Sequence, residues 1–251
     1  MACFILIHGS WHGGWCFGQV KALLEAKGHE VIAPDLPGMG GDEAVLRAVT
    51  LQGWADFTAD LCRQARQKPV VLAGHSRGGL VVSQASETAP DAVDALVYIC
   101  AMMLPDGMSR ADFKNMEGPN PPFDAIIAPV HDGAGTVVAA DKAGSVFAQL
   151  SLPETVAAAM SRVVAEPHGP RSTPLHLTEQ RFGSIPRTYI ECTADRTIPL
   201  SSQRKMQQLV PGAKVVSLWA DHSPYLSRPH ALATELIAVA LQISRCTGLS
   251  C

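Results

Sequence analysis

Residues 69–88 read PVVLAGHSRGGLVVSQASET. The apolar run Pro69 to Ala73 is typical of a buried strand, and the stretch Ser76 to Thr88 is typical of a helix. Where they meet, Gly74-His75-Ser76-Arg77-Gly78-Gly79 contains the pattern G-x-S-x-G. A sharp strand-to-helix turn of this kind holds its serine in strained backbone dihedrals with Oγ exposed, and the glycines avoid collisions with neighbouring backbone. The pattern therefore predicts that Ser76 is a nucleophile.

Further apolar runs occur on both sides of this stretch. They are Cys3 to His8, Glu30 to Pro34, Val93 to Ala101, Arg187 to Cys192 and Ala213 to Trp219. Most are continuous and rich in Val, Ile and Leu, as expected of parallel strands that are covered on both faces. Helix-like stretches separate them: Phe17 to Lys27, Leu51 to Gln67, Ser76 to Thr88, Ser201 to Leu209 and, after the last run, Pro229 to Ile243. The alternation predicts an α/β protein with a mostly parallel, doubly wound sheet.

The alternation stops between residues 105 and 183. This stretch contains a proline-rich loop from Gly118 to Pro122 and helix-like segments near Asp141 to Leu150 and Pro153 to Val164. About 80 residues between two strands are too many for a simple crossover. We therefore expect residues 1–104 and 184–251 to form the α/β core, and residues 105–183 to form a helical cap inserted over the carboxyl edge of the sheet. A long connection of crossover helices is the alternative.

Composition and charge exclude several classes of protein. Hydrophobic residues make up 47% of the 251 residues and the net charge is only −3, which excludes a disordered chain. Lys and Arg number 20 against 23 Asp and Glu, so no basic surplus exists to bind nucleic acid. No apolar run approaches the roughly 20 residues of a membrane span, and the N-terminus lacks the basic segment of a secretory signal.

The seven cysteines include no CxxC pair, and Cys3, Cys100 and Cys192 lie in strand-like runs. This distribution favours buried free thiols and a reducing compartment. We expect a cytoplasmic protein without nucleic-acid or membrane partners. Its oligomeric state is left open, a homodimer being one of the alternatives.

A serine nucleophile needs a base, and the base needs an orienting acid. In a fold with this strand–turn–helix, the chain order is Ser, then Asp or Glu, then His. His222, just after the last predicted strand, is the candidate base. Asp195 is the candidate acid, and Asp106 competes with it because both closely follow a predicted strand. Asp221 directly precedes His222 and would have to turn back onto its ring.

An oxyanion hole requires two backbone N–H donors. We expect one from Arg77, after the nucleophile, and the other from Ser10, in the glycine-rich loop that follows the first strand. The Ser10 hydroxyl could also reach the substrate, or it could cap the next helix. The residues predicted to line an apolar substrate pocket are Trp11, Met102, Phe123 and Phe147, although each could instead be a core or cap contact.

Six segments together resemble one family. They are HGSWHGGWCF at 8–17, DLPGMG at 35–40, GHSRGG at 74–79, YICAMMLPDG at 98–107, YIECTADRTIP at 189–199 and WADHSPYLSRP at 219–229. The chain resembles the α/β-hydrolase branch that contains plant methyl-salicylate-type methylesterases, hydroxynitrile lyases and their bacterial esterase relatives, most weakly from Ser109 to Arg181. The resemblance implies the α/β-hydrolase fold, a Ser76–Asp195–His222 triad, an oxyanion hole from the Ser10 and Arg77 N–H groups, and no metal or organic cofactor.

Three departures from the lyases indicate an esterase. Those lyases have lysine after the catalytic histidine, threonine at the position of Gly9 and glutamate at that of His75, whereas Ser223 follows His222 here. The expected activity is hydrolysis of small hydrophobic or aryl esters through an acyl-enzyme; a lyase and a receptor-like binder with little turnover are the alternatives. Arg77 replaces the leucine usual in the plant methylesterases. Its side chain could attract an anionic substrate or hold a cap loop, or Arg77 could be an ordinary surface or ion-paired arginine.

Overall fold

Two sheets organise the structure, a computed structural model that describes residues 1–246. The strands are β1 (Cys3–Ile7), β2 (Glu30–Ile32), β3 (Val70–His75), β4 (Ala95–Ile99), β5 (Ile127–Val130), β6 (Gly135–Val138), β7 (Glu166–Pro167), β8 (Arg187–Cys192) and β9 (Lys214–Leu218). The larger sheet has the order β2-β1-β3-β4-β8-β9, and every neighbouring pair is parallel. The predicted doubly wound α/β-hydrolase sheet is therefore confirmed, with each of the six predicted runs forming one strand.

Helices cover both faces of this sheet. They are α1 (Gly18–Glu25), α2 (Glu43–Ala48), α3 (Leu51–Gln64), α4 (Gly78–Thr88), α5 (Arg110–Met116), α6 (Pro121–Asp124), α7 (Ala140–Phe147), α8 (Pro153–Met160), α9 (Gly169–Ser172), α10 (Leu200–Leu209), α11 (Pro224–Ser227) and α12 (Pro229–Cys246). Phe4 and Leu6 pack with α1 and α12, while Ile5 and Ile7 pack with α3, α4 and α10. Alternate side chains of one strand thus enter different cores, which is why the strands are continuously apolar.

The inserted segment, residues 105–183, contains α5 to α9 and the smaller sheet, which is antiparallel in the order β5-β6-β7. The sequence predicted a helical cap, and the structure has these helices together with a three-stranded sheet that was not predicted. The strands are four residues or shorter, and β7 pairs with a strand almost thirty residues earlier, so neither length nor local periodicity revealed them. We propose that this segment is the cap, with the boundaries given above.

The strand order reverses between β1 and β3, which are neighbours although β2 lies between them in the chain. In open α/β sheets, the crevice outside the carboxyl ends of the strands at such a reversal is the usual ligand site. The loop after β1 carries Ser10, and the turn after β3 carries Ser76. The topology therefore brings the two predicted halves of the site together.

Five cysteines, Cys3, Cys16, Cys62, Cys100 and Cys192, are buried free thiols, as the sequence predicted. Cys251 lies outside the described residues, and nothing is described of the Cys246 side chain. Among the helices within residues 1–246, none is long and apolar enough to cross a membrane. The predicted compartment stays a prediction.

Candidate active site

Ser76 occupies the turn between β3 and α4 with φ of 53°, a left-handed conformation that is strained for a residue with a side chain. Its neighbours must be glycines: a Cβ on Gly74 would lie 2.6 Å from the Gly78 carbonyl oxygen, and a Cβ on Gly78 would lie 2.6 Å from the Ile7 carbonyl oxygen. The backbone is thus packed tightly on both sides of the turn. Ser76 is left at the edge of a cavity, with only 7% of its surface exposed.

A hydrogen-bonded chain connects Ser76 to two buried residues. His222 Nε2 lies 3.0 Å from Ser76 Oγ, and His222 Nδ1 lies 2.7 Å from Asp195 Oδ2. The other carboxylate oxygen of Asp195 accepts the backbone N–H groups of Thr197 and Ile198 at 2.7 and 2.9 Å. Because a carboxylate can only accept, the His222 proton lies on Nδ1, and the Nε2 lone pair faces the serine hydroxyl.

The backbone of His222 is held in place as well. His75 Nε2–H donates to the His222 carbonyl oxygen at 2.7 Å, and Cys100 Sγ–H donates to the same oxygen at 3.6 Å. Burial lowers the pKa of His75 far below its ordinary value, so its ring is neutral. His75, Cys100 and His222 have nitrogen and sulfur atoms within 4.8 Å of one another, a spacing that suits metal ligands. Here His75 Nε2 and Cys100 Sγ bond to the His222 carbonyl oxygen, and the two His222 ring nitrogens bond to Asp195 and Ser76.

The other two aspartates considered for the acid, Asp106 and Asp221, bond to groups other than the His222 ring. Asp106 is exposed and accepts a backbone N–H of the inserted segment at 2.9 Å. Asp221 is buried, but its carboxylate accepts the Leu150 backbone N–H at 2.8 Å and the Ser227 hydroxyl at 2.7 Å. Only Asp195, of these three, bonds to the His222 ring in the structure.

The backbone N–H groups of Ser10 and Arg77 have no acceptor within residues 1–246, and both residues line the cavity beside Ser76. The position of Arg77 directly before α4 adds the positive end of the helix dipole. The alternative of a Ser10 helix cap is not observed, because the helical turn that follows begins after Gly13 and has no side-chain cap. This arrangement suits an oxygen atom that develops negative charge.

A cavity opens beside Ser76. It is lined by Ser10, Trp11, Ser76, Arg77, Met102, Arg110, Phe123, Glu166, Arg171, Thr197 and Ile198. Trp11, Met102 and Phe123 are thus at the positions predicted for substrate contacts. Phe147 lies behind Trp11, stacked on it with ring centroids 5.9 Å apart. The lining residues Arg110, Glu166 and Arg171 were missed, since no motif links distant charged residues of the inserted segment to Ser76.

The Arg77 side chain is buried and not at the surface, and it forms an ion pair. Its Nε lies 2.9 Å from Oε2 of Glu166 in β7, and both side chains are less than 5% exposed. The guanidinium also lies over the Trp54 ring, with Cζ 4.3 Å from the centroid. Burial lowers the pKa of Arg77, and the Glu166 carboxylate offsets part of that effect. Of the three roles considered for Arg77, the structure shows a contact with the inserted segment.

Two further histidines lie beside the loop after β1. His8 Nδ1–H donates to the Gly9 carbonyl oxygen at 2.8 Å, and His8 Nε2 accepts the Leu36 N–H at 3.0 Å. His12 Nδ1–H donates to the Ser10 carbonyl oxygen at 2.7 Å. Burial lowers the pKa of His8 to about 3 and that of His12 to about 4, so both are neutral at pH 7.

Two positions at which this chain departs from the hydroxynitrile lyases, 223 and 9, have surroundings that do not suit the residues of the lyases. Ser223 is fully buried, and its Oγ–H donates to the Tyr225 hydroxyl at 3.2 Å, so no cation follows His222. A Cβ on Gly9 would lie 2.7 Å from the Ser76 Cβ. A threonine could not occupy position 9 unless the nucleophile moved.

Known proteins match this chain over nearly its whole length. The model of the alpha/beta hydrolase family matches residues 4–235. A pyrethroid hydrolase of Sphingobium wenxiniae is 36% identical over 240 residues, covering 92% of this chain and 85% of that protein. Salicylic acid-binding protein 2 of Nicotiana tabacum is 32% identical, covering 94% of this chain and 96% of that protein. The crystal structure of a pyrethroid hydrolase from Sphingobium faniae JZ-2 superposes with a TM-score of 0.86 at 32% identity, covering 95% and 97% of the two chains.

Proposed function

Because this chain belongs to the alpha/beta hydrolase family, we propose that it is a carboxylic ester hydrolase that acts on small hydrophobic or aryl esters through Ser76, His222 and Asp195. The observation that carries the proposal is the hydrogen-bonded chain from Asp195 through His222 to Ser76 Oγ. Ser76 lines a cavity with Ser10 and Arg77, whose backbone amides have no acceptor among residues 1–246. The two hydrogen bonds support the roles of nucleophile, base and orienting acid in acyl transfer, and the two amides support the role of oxyanion donors.

In the proposed mechanism, Ser76 Oγ attacks the ester carbonyl carbon while His222 Nε2 removes the hydroxyl proton. Asp195 keeps the imidazole in the productive tautomer and stabilises its positive charge. The Ser10 and Arg77 N–H groups bind the tetrahedral oxyanion. His222 then protonates the leaving alcohol, and a water molecule activated by the same histidine hydrolyses the acyl-enzyme.

The walls of the cavity support the substrate class. Trp11, Met102, Phe123 and Ile198 offer aromatic and aliphatic surface next to Ser76. Such surface favours an apolar acyl or aryl group, because its burial removes apolar area from water. The names of the relatives, pyrethroid hydrolase and methylesterase, are consistent with ester substrates of this kind.

The first test is Ser76→Ala, assayed with p-nitrophenyl esters of increasing chain length and with aromatic methyl esters. We expect a loss of at least about a thousandfold in kcat with the fold intact, since only binding and the oxyanion hole would remain. A fluorophosphonate probe should label Ser76 in the wild type. Ser161→Ala, at an exposed serine of the inserted segment, is the matched control and should keep full activity. A Ser76→Ala rate above about a tenth of wild type would exclude covalent catalysis at Ser76.

The same preparation separates the alternatives when it is also given mandelonitrile, with correction for spontaneous breakdown. A lyase must stabilise departing cyanide, and the buried Ser223 hydroxyl carries no positive charge. We therefore expect ester hydrolysis to be much faster than mandelonitrile cleavage. Mandelonitrile cleavage that is equally fast and requires Ser76 would identify a lyase, and tight binding of aryl acids without turnover of any ester would identify a receptor-like protein.

A further inference from the structure

The Gly9–Ser10 peptide lies directly beside the nucleophile. A Cβ on Gly9 would lie 2.7 Å from the Ser76 Cβ, so this peptide forms one wall of the site. Its carbonyl belongs to Gly9 and its N–H belongs to Ser10, the proposed oxyanion donor. Because a trans peptide is planar, the C=O and N–H bonds point in opposite directions. Any group that fixes the direction of the Gly9 carbonyl therefore also fixes the direction of the Ser10 N–H.

Two buried side chains donate to the Gly9 carbonyl oxygen. His8 Nδ1–H donates from 2.8 Å and Arg77 Nη2–H donates from 3.2 Å. The His8 ring has its other nitrogen occupied by the Leu36 N–H, so it cannot turn away without losing both bonds. The Gly9 carbonyl is thereby held in one direction, toward His8 Nδ1 and Arg77 Nη2.

Arg77 is itself positioned by a residue of the inserted segment. Its Nε faces Glu166 Oε2 at 2.9 Å, and its guanidinium stacks on Trp54. A guanidinium buried this deeply requires a counter-ion, and Glu166 supplies it. Removing the carboxylate would leave an uncompensated charge next to the oxyanion loop.

We infer that Arg77 and Glu166 are positioning residues that orient the Ser10 N–H toward the reacting carbonyl oxygen. The inference rests on the proposed function. The inserted segment then acts on the reaction by holding the peptide plane of an oxyanion donor through a buried ion pair, in addition to covering the cavity. The side chain of Arg77 has this role while its backbone N–H serves as the second donor.

The test is the double variant Arg77→Met/Glu166→Leu, which removes both charges together and keeps both backbone donors. Replacing a buried pair by apolar residues of similar size is tolerated far better than removing one partner. Loss of one oxyanion donor costs about 10²- to 10³-fold in kcat. Because His8 still holds the Gly9 carbonyl, we expect a smaller loss of about tenfold in kcat for p-nitrophenyl butyrate, with KM changed less than about twofold.

An inhibitor pair separates positioning from general damage. An aryl trifluoromethyl ketone forms a hemiketal oxyanion with Ser76, whereas the corresponding trifluoromethyl carbinol has nearly the same shape and forms none. The double variant should lose affinity for the ketone by the same factor as kcat and keep its affinity for the carbinol. Glu166→Gln, whose amide oxygen can still accept from Arg77, should retain more of kcat than the double variant. Arg204→Met breaks an ion pair with Glu191, and neither residue lines the cavity. This variant should change neither kcat nor the affinity for the ketone.

Wild-type values of kcat and ketone affinity in the double variant would overturn the inference. Equal losses for ketone and carbinol would overturn it too, because they would indicate a purely structural role for the pair. A wild type that hydrolyses no ester, or that binds the ketone no more tightly than the carbinol, would overturn the proposed function itself and the inference with it.

Discussion

Aspartates and histidines occur in two regions of the molecule, and their surroundings differ. One region is the set of loops at the carboxyl ends of the core strands, and the other is the inserted segment 105–183. At the strand ends, Asp195 is buried and bonded to His222, whereas Asp106 of the inserted segment is exposed. His12 is likewise buried, and His176 is exposed. Parallel strands bring their ends to one edge, so the short loops there converge on a single site. For these aspartates and histidines, burial therefore differs between the two regions.

The largest difference in kcat is expected between variants of Asp195 and Asp106. Asp195→Asn should lower kcat about 10⁴-fold, because an amide in place of the carboxylate favours the wrong imidazole tautomer at His222. Asp106→Asn should stay within about twofold of wild type in kcat, since the Asp106 side chain is exposed and accepts a backbone N–H of its own segment. Steady-state measurements of kcat for both variants test which aspartate is the acid. The reverse order of effects would move the acid to Asp106.

A second contrast concerns glycines. Gly9→Ala would place a methyl group 2.7 Å from the Ser76 Cβ and 2.9 Å from His75 Nδ1, so the nucleophile must shift. A displacement of about 1 Å at the reacting atoms costs about 10²-fold in kcat. Gly118→Ala, in the proline-rich loop of the inserted segment, meets no atom within 4 Å and should leave kcat unchanged. Wild-type kinetics in Gly9→Ala would show that the oxyanion loop is less closely packed than the structure describes.

The smallest contrast concerns the dependence of stability on pH. The pKa of His12 is lowered from 6.5 to about 4 in the folded chain. Between these values the unfolded chain binds more protons, so stability is complete above about pH 6.5 and falls as the pH falls toward 4. The contribution of His12 is about 1.4 kcal/mol per pH unit, or about 2 kcal/mol between pH 7 and pH 5.

Urea unfolding at pH 7 and pH 5 measures this contribution. His12→Asn should reduce the stability difference between the two pH values by about 2 kcal/mol. His176→Gln, at an exposed histidine of the inserted segment, is the matched control. An equal effect of the two variants would contradict the assignment of acid sensitivity to the buried strand-end histidines.

Much of the core could be predicted from sequence because each of its strands is a continuous apolar run between helical patterns. The predicted run Arg187 to Cys192 coincides with β8, and β3 differs by one residue at its start and two at its end. The inserted sheet could not be predicted in this way. Its strand β5 contains a proline, and β7 is two residues long, so both depend on pairing between distant residues.

The candidate site shows the same division. Ser76, Asp195 and His222 could be chosen as candidates because a local turn pattern and a fixed chain order restrict where each one falls, and the structure joins the three by hydrogen bonds. The contact between Arg77 and Glu166 could not be identified, because 88 intervening residues separate them and neither lies in a pattern that refers to the other. Their pairing follows from the path of the inserted segment across the sheet edge.

Trp11 belongs to the core by its place in the chain and to the inserted segment by its packing. It lies in one apolar cluster with Val138, Phe147 and Met160, and its indole N–H donates to Thr136 Oγ1 at 3.1 Å. The small core of residues 105–183 is therefore completed by a side chain from outside that segment. Exchange of this segment between related enzymes, in evolution or in engineering, would have to treat position 11 as part of the transplanted unit. A chimera that ignored it would open a void under the new cap and disturb the loop that carries Ser10.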